Sequence, residues 1–138
     1  MQARKLLDGI TKRGGLQAMR EAQAYANTVG FRYTSVEEVL AAVKQEHAEL
    51  LIAHAAGERA VIEEEIGDNL FALLRLCQWL EIDPERLLRA NTVKYLRRVV
   101  AMEDWLTSQG QTWDDVDDWR TIWREAKRGY RSNAPTEE

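Results

Sequence analysis

Apolar residues recur at helical rather than alternating spacing along almost the whole chain, a pattern that predicts about five helices and no sheet. The first runs over 15–27 with Leu16, Met19, Ala22 and Ala26 on one side, and the Gly30-containing turn 28–34 ends it. Ser35-Val36-Glu37-Glu38 reads as a capping box, with Ser35 as N-cap and Glu38 reaching back. It opens a second helix over 36–56 whose apolar stripe is Val36, Val39, Leu40, Val43 and Leu50. Gly57 marks a turn, and the third helix, 58–80, has Ile62, Ile66, Leu70, Leu73 and Cys77 as its expected core line. Asp83 can cap a fourth helix, 84–109, with Pro84 at its first position and Gly110 as its stop. That helix carries Leu87, Leu88, Tyr95, Val99 and Met102. Thr112-x-x-Asp115 looks like the cap of a last helix reaching 127. The reading is an all-α, helical-hairpin bundle: one domain over 1–130 and a polar tail, 131–138, expected to be disordered.

Two carboxylate pairs stand out against this pattern: Glu46-x-x-Glu49 on the second helix and Glu65-x-x-Asp68 on the third. Three-residue spacing puts each pair on one side of its helix. Glu46 falls on the apolar stripe, three residues after Val43 and four before Leu50, where an unpaired carboxylate is costly. The short turn allows antiparallel packing, so four acidic side chains can converge. Converging carboxylates repel unless a hard cation sits among them, Mg²⁺ being the commonest. Glu63 and Glu64 are expected to face solvent. A di-iron bundle would need Glu-x-x-His pairs. The only histidines, His47 and His54, do not complete one and read as surface residues.

Composition narrows the chemistry. The 138 residues are 45% hydrophobic and 30% charged, as in a folded soluble domain. A net charge of −4 argues against binding a nucleic-acid polymer. Cys77 is the single cysteine, which excludes an intrachain disulfide and fits a reducing, cytoplasmic setting. The N-terminal fifteen residues are too polar for a signal peptide, and no stretch is long and apolar enough to span a membrane. No P-loop, Gly-rich dinucleotide motif, zinc pattern or nucleophile elbow is present. A magnesium site without those motifs points to phosphate chemistry. Asn91, Lys94 and Arg98 share one face of the fourth helix and could hold phosphate oxygens, or simply make exposed ion pairs. Of five tryptophans, most should be core or interface; Trp123, with Lys127 on the same face, is the best candidate to stack on a base.

At Glu46-x-x-Glu49 and at Glu65-Ile66-Gly67-Asp68-Asn69-Leu70-Phe71-Ala72-Leu73 the chain resembles the MazG family of nucleoside triphosphate pyrophosphohydrolases. The likeness continues through Ile82-Asp83-Pro84-Glu85, Asn91-x-x-Lys94-Tyr95-x-x-Arg98 and Ile122-Trp123-Arg124-Glu125-Ala126-Lys127. Upstream it takes in Gly30-Phe31 and Val36-Glu37-Glu38-Val39, so it covers 15–128. The resemblance implies an all-α fold, a dimer or higher oligomer, and a single such unit rather than a tandem pair. It implies Mg²⁺-dependent (or Mn²⁺-dependent) cleavage of nucleoside triphosphates between the α- and β-phosphates, giving the monophosphate and pyrophosphate. The family's metal-ligand and catalytic pattern falls on Glu46, Glu49, Glu65 and Asp68, and its phosphate-side residues on Asn91, Lys94 and Arg98. Two departures are visible: Gln45 stands where members often have a further Glu, and Asn69 replaces a usual aliphatic. The rival from another class is a non-catalytic helical module whose acidic face takes a basic partner.

Overall fold

The computed structural model describes residues 2–132, which form six α-helices and, among the described residues, no strand. They are α1 (Gln2–Asp8), α2 (Gly15–Thr28), α3 (Val36–Ala56), α4 (Arg59–Trp79), α5 (Pro84–Ser108) and α6 (Trp119–Ser132). Single 3₁₀ turns lie at Ile10–Lys12 and Trp113–Asp115. The helix α1 has no counterpart in the sequence reading: seven residues offer too little apolar periodicity to register. The expected polar tail is helical through Ser132, and 133–138 lie outside the described residues.

The chain divides into two compact units, residues 1–84 and 85–138. In the first, α3 and α4 form an antiparallel hairpin, the most extensive helix pair of the chain. The turn between them works because Gly57 takes the left-handed conformation (φ 82°) and returns its N–H to Ala53 O at 3.1 Å. Ser35 caps α3 as expected, its hydroxyl accepting from Glu38 N at 3.2 Å. Glu38 reaches one residue further back than a standard box, accepting from Thr34 N at 2.7 Å and from the Thr34 hydroxyl at 3.0 Å. These bonds hold the Glu38 carboxyl below its ordinary value.

The expected core line of the third helix is corrected. Ile66, Leu70 and Leu73 are 45%, 58% and 49% exposed, while Ala72 is buried. The stripe of α4 turned to α3 contains Glu65, Asn69 and Ala72, about a third of a turn from the aliphatic line. One neighbouring helix covers one stripe, and no further layer of the unit covers the aliphatic one. Likewise Leu40 of α3 is half exposed, whereas Val39 is fully buried.

In the second unit, Met102 and Leu106 of α5 pack with Ile122 and Ala126 of α6, supported by Ala101, Trp105, Val116 and Trp123. Leu88 and Tyr95, expected as core, are exposed. The Thr112–Asp115 capping box is present but closes only a 3₁₀ turn. Val116 is extended there and packs on the core cluster, and Asp118 then accepts from Arg120 N at 3.0 Å as α6 begins. Asp disfavours helix interiors and favours caps, so the acidic run 114–118 delays the last helix to Trp119. Among the described residues, no helix is long and apolar enough to cross a membrane.

Candidate metal centre

The hairpin places Glu46 and Glu49 of α3 opposite Glu65 of α4. One ligand oxygen from each of the three carboxylates lies within 4.8 Å of the others. All three residues are half-buried. The register is pinned by Asn69, whose side-chain amide donates to Glu46 O and to Glu65 O, both at 2.8 Å. Gln45 donates its side-chain N–H to Glu49 Oε1 at 3.0 Å, fixing that carboxylate with a neutral donor where another acid would add repulsion. Glu65 Oε2 is closed off from solvent and has no hydrogen-bond partner. A desolvated carboxylate oxygen without a donor is costly.

Asp68 is exposed and is not part of the close trio. Its charge still reaches the cluster. The Glu46 carboxyl is raised above its ordinary value by burial first, then by Glu49 and Asp68, with Arg75 opposing. The Glu65 carboxyl is raised by burial first, then by Glu49, Asp68 and Glu46. Three close, half-buried carboxylates, with one oxygen closed off from solvent and lacking a donor, suit an oxygen-seeking divalent cation. Glu63 and Glu64 face solvent as expected, Glu63 being paired with Arg59 at 2.7 Å. His47 and His54 are exposed, in line with the surface reading.

The phosphate- and base-side candidates belong to the second unit. Asn91 and Lys94 are exposed on α5, and Asn91 spends one N–H on Leu87 O at 3.0 Å. The Arg98 guanidinium lies over the Trp123 ring at 5.3 Å, and Tyr95 packs on the same indole at 6.0 Å between centroids. Trp123 is thus half-buried among its own neighbours, and Lys127 is exposed. None of the five tryptophans is fully buried; Trp105 and Trp123 pack against the core cluster, and Trp113, Trp119 and Trp123 line a cavity of about 820 Å³ with Tyr95, Arg120 and Arg124.

Sequence reasoning missed Arg75, Gln23 and Gln78. Arg75 lies over Tyr33 and Phe71 at 5.0 and 5.2 Å and donates to the Tyr33 hydroxyl at 2.9 Å. Its one signal in the sequence is that it interrupts the apolar run 71–80 with a charge.

A helical hairpin carrying a tight trio of half-buried carboxylates defines the class: an all-α protein with an acidic cluster between two antiparallel helices. Residues 34–100 belong to the MazG family: they match the model of the MazG nucleotide pyrophosphohydrolase domain. The chain is 33% identical over 116 residues to the nucleoside triphosphate pyrophosphohydrolase/pyrophosphatase MazG of Thermotoga maritima, covering 83% of this chain and 44% of that protein. It is 29% identical over 117 residues to the nucleoside triphosphate pyrophosphohydrolase of Escherichia coli K12, covering 82% of this chain and 44% of that protein. The chain therefore spans less than half the length of these relatives.

Proposed function

We propose that this protein is a Mg²⁺-dependent nucleoside triphosphate pyrophosphohydrolase that cleaves between the α- and β-phosphates. The observation that carries the reading is the Glu46–Glu49–Glu65 trio, with its unpartnered Glu65 Oε2, inside the matched MazG region. These three residues would hold Mg²⁺, with Asp68 one turn along α4 adding negative potential. When bound, the ion supplies a water of lowered pKa and a Lewis acid for the phosphate oxygens. Asn69 keeps the two helices in register, so that the carboxylates are organised before substrate arrives. Gln45 holds Glu49 through Oε1. Glu46 or Glu49 accepts the proton of the attacking water. On the same reading, Lys94 and Arg98 offset charge on the leaving pyrophosphate and Asn91 orients a phosphate, while Trp123 and Lys127 are the second unit's candidates for the base.

Assembly as a dimer or higher oligomer belongs to the same proposal. Leu51, Ile52 and Leu70 of the hairpin are more than half exposed and Leu73 nearly so, and a second copy of the chain would cover such a face.

The test is a panel of ribo- and deoxyribonucleoside triphosphates, with and without Mg²⁺, following pyrophosphate and the monophosphate. Release of both, abolished by chelation and by Glu65→Gln, supports the reading. Release of inorganic phosphate only, or none from any substrate, refutes it and leaves the interaction-module reading.

A further inference from the structure

The first unit contains a cavity of about 400 Å³ whose wall differs from an ordinary packing defect. Phe31, Tyr33, Phe71 and Trp79 supply aromatic surface, and Gln23 of α2 and Gln78 of α4 stand in the same wall. Gln23 is 92% buried by its 8% exposure, yet its side-chain nitrogen has no acceptor. The Gln78 side-chain oxygen is also buried and has no donor. A buried amide left half-paired costs stability that an apolar side chain of the same shape would not. Two such amides in one aromatic wall present one unpaired donor and one unpaired acceptor. No carboxylate lines the cavity; of its two arginines, Arg75 is already engaged with Tyr33 and Phe71, and Arg32 is an exposed residue.

On α4 the cavity wall begins less than two turns beyond Glu65. Asp68, Phe71, Arg75 and Gln78 follow three-four-three spacing and so share one side of α4. Phe71 lies six residues beyond Glu65, about 9 Å along the helix axis. Arg75, in the cavity wall, is close enough for its charge to act on Glu46.

We propose that this cavity takes the nucleobase of the triphosphate, stacked on its aromatic wall and read at its edge by Gln23 as donor and Gln78 as acceptor. The inference rests on the proposed activity for the phosphate end of the substrate, and on the cavity alone for the base end. The occupant is planar, uncharged and carries an acceptor beside a donor, which a nucleobase edge provides and a phosphate does not. It transfers base binding from Trp123, one face of which lies under Arg98, to the unit that holds the carboxylates. The two glutamines are specificity-determining residues rather than catalytic ones.

The experiment uses the full chain with Gln23→Met, Gln78→Met and Trp123→Ala. For the best-hydrolysed triphosphate, each glutamine variant should raise KM about tenfold with kcat within twofold, because an interaction made equally in ground and transition states is lost. The apo melting temperature should stay level or rise, since an unpaired buried amide has been removed; a merely structural role would lower it. Unchanged KM in both glutamine variants, or a KM effect confined to Trp123→Ala, overturns the inference while leaving the activity intact. If the wild type hydrolyses no triphosphate, the activity reading fails by itself. Titration with nucleoside monophosphates then decides the cavity: shifts of the Gln23 and Gln78 side-chain amide NMR signals support it, and their absence overturns it.

Discussion

Asn69 ties the two carboxylate-bearing helices together at the level of the site. Its amide donates to Glu46 O on α3 and to Glu65 O on its own helix, both at 2.8 Å and both partly buried. Replacing it by Ala removes two bonds, each contributing about 0.5–1.5 kcal/mol net. The Glu65 bond is within α4, where the carbonyl is otherwise served by the helix, so it belongs at the low end. The inter-helix bond is the larger share, giving a total loss of about 1–2 kcal/mol. With a urea m-value of about 2 kcal/mol/M, the unfolding midpoint should fall by roughly 0.5–1 M with m unchanged. The assay is equilibrium urea unfolding at one protein concentration, since assembly would otherwise contribute. Asn69→Asp should be worse, because it turns a carboxylate toward two carbonyl oxygens beside an acidic trio. An Asn69→Ala protein as stable as wild type would refute the claim that this amide sets the hairpin register.

Three further outcomes are expected. In the metal-free protein, Glu46 and Glu65 have folded values raised above their unfolded ones, so their contribution is complete below the unfolded glutamate range and is lost as pH rises through the folded values. Melting temperature should therefore decline over that window, and a Glu46→Gln/Glu65→Gln double variant should flatten the decline; identical profiles would contradict it. Glu38, lowered by Thr34, works in the opposite sense and loses its contribution as pH falls. Leu106→Ala, at a site 2% exposed in the second-unit core, should cost about 2–5 kcal/mol by calorimetry or denaturant titration. Ser35→Ala removes the cap of α3 and should cost about 1 kcal/mol in the same unfolding assay.

The helical hairpin was legible because its signals are local: a cap at Ser35, a left-handed Gly57, and apolar periodicity on both sides. The convergence of Glu46, Glu49 and Glu65 followed from spacing plus a short turn. What periodicity could not give was the rotational setting of α4. Hydrophobicity favoured Ile66, Leu70 and Leu73, whereas the stripe facing α3 is held by Asn69 and Ala72, a polar contact and a small residue that carry no apolar signal. Asp68 was grouped with its neighbours by spacing and by the MazG resemblance, and its side chain is exposed on the side of α4 that leads to Arg75 and the aromatic cavity. The glutamines of that cavity are 55 residues apart in sequence (78 − 23), so only tertiary packing brings them into one wall. The late start of α6 was missed because the Thr112 capping box is genuine but serves a 3₁₀ turn.

The most direct test of the account is calorimetric titration of Mg²⁺ into the chelator-treated full chain, wild type beside Glu65→Gln. The account predicts saturable binding to the wild type and at least a tenfold weaker affinity once the unpartnered Glu65 carboxylate is neutral. Equal affinity in the two proteins, or no saturable binding to either, would contradict it.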